Sequence, residues 1–152
     1  MDETPEWELP GRFAQVLPRV AGVPTRRSRG RDGVVPVGWP RQVRPPGAPG
    51  WEDTAVTWLF DLCPPGYRSH AVLHRFPVVL ARMTHQHVSA AVAAARHGYG
   101  TARADLSALA PPSVLAAVLR MYEHEGTRAA ATERAVGLVE EALGGTRWEP
   151  RL

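Results

Sequence analysis

From Val78 to Leu109 apolar side chains recur at alternating intervals of three and four: Val78, Ala81, His85, Val88, Val92, Ala95, Tyr99, Ala102, Leu106 and Leu109. That spacing is a heptad seam and predicts one long helix, with His85 the polar member of the seam. Pro111-Pro112 interrupts it, and proline is tolerated in the first turn of a new helix. A second seam follows at Leu115, Val118, Tyr122, Glu125, Ala129, Thr132, Val136, Val139 and Leu143, and Gly144-Gly145 ends it. Two long seams joined by a short break predict an antiparallel helical hairpin. If Leu109 faces Leu115, Tyr99 faces Glu125, Gly98 faces Gly126 and His85 faces Val139. Much of the seam is alanine, which buries little area per residue at ~25 cal/mol per Å2. The hairpin is therefore expected to recruit further apolar surface: tryptophans from a neighbouring helix, part of the preceding segment, or a second copy of itself as a homodimer.

Two shorter helices are predicted upstream. The first runs from Asp53 or Thr54, either of which suits an N-cap, to Leu62, with Val56, Trp58, Leu59 and Leu62 on its buried side. Pro64-Pro65-Gly66 stops it. The second spans Tyr67 to Arg75 and closes at Phe76-Pro77. The fold class expected is all-α: a long antiparallel hairpin packed with two short helices and preceded by an extended Pro/Gly/Arg-rich arm. The helical domain covers residues 51–145, the arm residues 1–50 and a C-terminal tail residues 146–152.

The arm holds nine of the fifteen prolines and seven of the fourteen glycines, so a regular core element is not expected there. Within it, a short helix at Arg12–Leu17, a basic loop at Thr25–Arg31, an edge strand at Val34–Val37 and a polyproline-like spacer at Arg44–Gly50 are read. Trp7, Phe13, Trp39 and Trp51 are unusual for a disordered tail and predict that part of the arm docks on the body.

Charge sharpens this division. Residues 11–50 carry eight arginines against one acid, a net +7, residues 1–10 carry four acids and no base, and residues 51–152 balance ten arginines with ten acids. The chain has no lysine, isoleucine or asparagine, so its all-arginine basicity reflects a GC-rich, actinobacterial-type genome as well as any selection for phosphate contacts. One cysteine excludes an internal disulfide and suits a reducing cytoplasm. The acidic start MDETPEWELP lacks the apolar region of a signal peptide, and no stretch reaches the ~18 apolar residues of a membrane span.

Five of the six histidines lie within residues 70–97. His70 and His74 have the spacing of paired metal ligands, yet no third ligand accompanies them, and a solvent-facing pair is the preferred reading. His85 and His87 point apart on a helix. Gly98, Gly100 and Gly126 share one level of the hairpin with Tyr99, Glu125, His97 and His124. Glycine in a helix costs roughly 1 kcal/mol relative to alanine, so this level needs a reason. Close backbone approach, with Tyr99 donating to Glu125, is preferred over a polar pocket for acid–base work. Cys63 sits at a helix C-terminus, where the negative dipole end opposes a thiolate.

No catalytic residue, metal site or cofactor is therefore assigned. The first functional expectation is a cytoplasmic, non-enzymatic interaction or adaptor module that binds a protein partner. Its contact residues are Arg26, Arg27, Arg29, Arg31, Arg41, Arg44 and Trp39 of the arm, with Trp148 of the tail as an anchor. The alternative is a nucleic-acid-binding regulator working through the same arginines. The third is a small metal-dependent or acid–base enzyme using the histidines.

Overall fold

A computed structural model of the chain describes residues 34–149. These residues form four α-helices and no strand: α1 (Trp51–Leu62), α2 (Ala71–Arg75), α3 (Pro77–Leu106) and α4 (Pro112–Leu143), with a 3-10 helix over Pro65–Ser69. α3 and α4 form the expected antiparallel hairpin, each roughly 45 Å long at 1.5 Å per residue. α1 and α2 pack on α3 near the open end.

The core sits entirely at that open end. Val43, Trp51, Ala55, Leu59, Phe60 and Leu73 meet Leu80, Ala81 and Val88 of α3 and Val136, Val139 and Ala142 of α4. The arm contributes to it directly. Trp39 Nε1 donates to the Val43 carbonyl at 2.8 Å, and the Trp39 ring packs edge-on against Trp148 at 5.7 Å between centroids. Phe60 is held between the His74 ring, 4.6 Å away, and the Arg68 guanidinium, 5.7 Å away.

Several elements depart from expectation, each for a local reason. α1 begins at Trp51, two or three residues early. Its N-cap is Gly50 and makes no side-chain bond. Thr54 does not cap: its hydroxyl donates to the Trp51 carbonyl at 2.7 Å and accepts from the Arg44 N–H at 3.0 Å. The second short helix is split, because extended His70 separates the 3-10 helix from α2. The edge strand at Val34–Val37 does not form; the Pro36 carbonyl accepts the Trp39 N–H in a turn, and Val37 is fully exposed. The helix at Arg12–Leu17 and the loop at Thr25–Arg31 lie outside the described residues.

The hairpin register also shifts. α3 ends at Leu106, and Leu109 lies in the connection, 77% exposed, so it cannot face Leu115. Pro112 holds Pro111 extended, which keeps the connection from continuing as helix into α4. The pairs actually in contact are Gly98 with Tyr122, Ala95 with Gly126, Ser89 with Glu133 and His85 with Gly137. Facing residues thus lie about three positions nearer the turn than expected. α4 stops in a Schellman motif: Gly145, at φ +103°, donates to the Ala142 carbonyl, and Thr146 donates to that of Glu141.

Candidate functional site

The expected glycine level of the hairpin does not form, because the register shift sets Gly98 against Tyr122 and Gly126 against Ala95. A Cβ on Gly98 would stand 2.5 Å from the Tyr122 ring, so Gly98 is the seat for that ring. Gly126 rests against Ala95, 3.5 Å from a built Cβ, while nothing approaches Gly100. The expected bond from Tyr99 to Glu125 is not formed. With the register moved, Glu125 turns outward and pairs with His124 Nδ1 at 3.2 Å and Arg128 Nη1 at 3.4 Å. Gly126 takes its place in the seam. His97 and His124 are both exposed. Tyr99 and Tyr122 instead line an open groove of about 520 Å3, edged by Arg96, Glu123 and Arg134.

The other expected contact residues fall into two groups. Trp39 and Trp148 are half-buried against one another and pack on the core. Arg44 is engaged, donating to the Pro49 carbonyl at 2.8 Å, and Arg41 is exposed. Arg26, Arg27, Arg29 and Arg31 lie outside the described residues.

The histidines divide. His74 Nε2 donates to the Arg68 carbonyl at 2.7 Å, and His70 terminates the 3-10 helix, so the two form no pair. Among the described residues no group of three or more His, Cys, Asp or Glu side chains is placed to hold a metal ion. His85 does find a partner, Glu140 rather than Val139. Its Nδ1 donates to Glu140 Oε2 at 2.8 Å, and Arg82 contacts the other carboxylate oxygen at 2.6 Å. Ser89 donates to Glu133 one level further along. This ladder across one face of the hairpin was not anticipated. The signal for it was present as Arg82 and Glu140 standing nearly opposite.

Cys63 is buried and bonded to Thr84 at 3.0 Å. The Thr84 hydroxyl already donates to the Leu80 carbonyl at 2.8 Å, so the thiol is the donor. Burial pushes the Cys63 pKa up, offset in part by the Arg68 charge.

The feature with functional reach is the half of the hairpin that α1 and α2 leave uncovered. Beyond Val92 on α3 and Ala135 on α4, only Ala102 is buried. Yet α4 from Val114 to Tyr122 is apolar at every position but Arg120. Leu115, Val118, Leu119 and Tyr122 are only half-buried, while Val114 and Met121 are exposed at 45% and 53%. A helix apolar on all sides belongs in an interior, and here two of its sides face water.

That surface continues one already in use. Val114, Val118, Met121, Glu125 and Arg128 follow heptad spacing along one face of α4. Glu125 and Arg128 share a groove with Leu62 at the end of α1. α1 therefore covers this face as far as Leu62, and none of the described residues covers its apolar continuation.

Among the described residues no helix is long and apolar enough to cross a membrane. The chain matches no family model, no curated protein and no solved structure.

Proposed function

We propose that this protein is a non-enzymatic interaction module of a reducing cytoplasm. Its open-end body, the packed arm residues and the tail tryptophan form the scaffold. Its distal hairpin is the docking element for a protein partner. One observation carries this reading: α4 stays apolar on several sides for nine residues where, among the described residues, only α3 packs on it. Apolar side chains at heptad spacing on an exposed helix are the recurring means by which one helix receives another. The contact surface therefore moves from the arginine-rich arm to Val114, Val118 and Met121. Trp39 and Trp148 serve packing, and Arg44 serves the arm's own turn. A nucleic-acid role through Arg26, Arg27, Arg29 and Arg31 draws no support from the described residues.

In-cell photo-crosslinking tests the reading. A photoreactive residue replacing Met121 is expected to capture a protein. The same residue replacing Glu141, exposed on the opposite face, is expected to capture none. Equal yields from the two positions would contradict it.

A further inference from the structure

We propose that the partner on this face is a second copy of the chain, docked with α4 antiparallel to α4 about a two-fold axis near Ala117 and Val118. The inference rests on the interaction reading above and names its partner.

Three observations select this occupant. The first is steric. α1 lies on the same face as far as the groove that Leu62 shares with Arg128. A copy approaching in parallel would bring its open end against α1. An antiparallel copy centred near Ala117 meets only the bare turns, and its own body lies beyond the hairpin tip.

The second is self-complementarity. In an isologous pair each residue of the patch must suit another residue of the same patch. Antiparallel alignment sets Val114 against the partner's Met121, and Ala117 against the partner's Val118. Large then meets large at the two ends, and a small residue sits near the axis, where the helices approach most closely.

The third is charge. α4 opens on Pro111 with no side-chain cap and no acid in its first turn, so its N-terminal N–H groups carry an unopposed partial positive charge. In the antiparallel register Glu125 falls beside the partner's Pro111. Glu125, flanking the patch, thus meets a helix end of opposite sign. In a parallel pair Glu125 would meet Glu125, and Arg128 would meet Arg128. The docked pair forms a local four-helix arrangement in which Val114, Val118 and Met121 become interior.

Sedimentation of the full chain at low and high concentration, with cross-linking at chosen positions, tests the proposal. The wild type is expected to show a dimeric mass that dissociates on dilution. Met121→Glu is expected to be monomeric with unchanged helicity, since the position is exposed in the single chain. Ala117→Cys is expected to cross-link between chains with a short bis-thiol reagent, and Arg128→Cys is not. A monomeric wild type at every concentration would overturn the proposal. So would a dimer that survives Met121→Glu, or one that cross-links through Arg128→Cys. If the wild type is monomeric but position 121 still captures another protein in cells, self-association falls and the interaction reading stands. If position 121 captures nothing, both fall.

Discussion

Gly98 and Gly100 sit two residues apart on the same helix and answer to different constraints. At Gly98 any side chain displaces the Tyr122 ring, whereas Gly100 faces open space. Gly100→Ala is expected to raise stability by about 1 kcal/mol through helix propensity alone. Gly98→Ala is expected to lower it in the wild type and to raise it when Tyr122 is also alanine, a sign reversal that a double-mutant cycle by denaturant unfolding would register. An equal effect of Gly98→Ala in both backgrounds would contradict the seat. Cys63 makes a second prediction at this scale. Its burial raises the pKa above the ordinary 9.0, so the folded protein holds the thiol proton more tightly than the unfolded chain does. Its contribution to stability is therefore complete below pH 9.0 and declines as pH rises above it. The difference in stability between wild type and Cys63→Ala is expected to narrow above that pH. A difference constant through the alkaline range would refute the assignment. The sequence placed Gly98, Gly100 and Gly126 at one height, but in the structure Gly126 faces Ala95 instead of Gly98. The seat for Tyr122 was not legible, because a shift of about one helical turn exchanged Gly126 for Tyr122 opposite Gly98.

At the scale of elements, periodicity carried the reading where it was sustained. The two long helices and their antiparallel pairing follow from seams several heptads long, and Gly144-Gly145 marked the end of α4. What escaped was set by local backbone chemistry. α3 ended at Leu106, before Leu109 could join the seam, and extended His70 split a single expected helix into a 3-10 helix and α2. Val43 entered the core from the Pro/Gly-rich segment, where no periodicity announces burial. The energetic consequence is an uneven hairpin. Leu80 is fully buried, and Leu80→Ala is expected to cost roughly 2–5 kcal/mol, as large-to-small core changes do. Leu115→Ala in the dilute, single-chain form is expected to cost clearly less, because that side chain is only half-buried. Equal costs by chemical denaturation would show that the tip has a core of its own.

For the whole molecule, the division that matters runs across the hairpin rather than between arm and body. Charge drew attention to the arm, and Trp39 with Val43 does tie its described end into the core. The proposed binding face lies elsewhere, on α4, and the sequence signalled it only as an excess of apolar residues between Val114 and Tyr122. That excess reads as ordinary seam until the structure shows how few of those residues α3 can cover. The Arg82–Glu140–His85 ladder belongs to the opposite face, at the open end, and fastens the half that already has a core. The central claim is that the distal hairpin is completed by a partner. Amide hydrogen exchange along α4, followed in dilute and in concentrated protein, tests it most directly, because protection reports local opening. The account predicts strong protection from Ala135 to Ala142 at both concentrations. It also predicts weak protection from Val114 to Glu125 in dilute protein that becomes strong on concentration. Protection of residues 114–125 equal to that of residues 135–142 in dilute protein would contradict it.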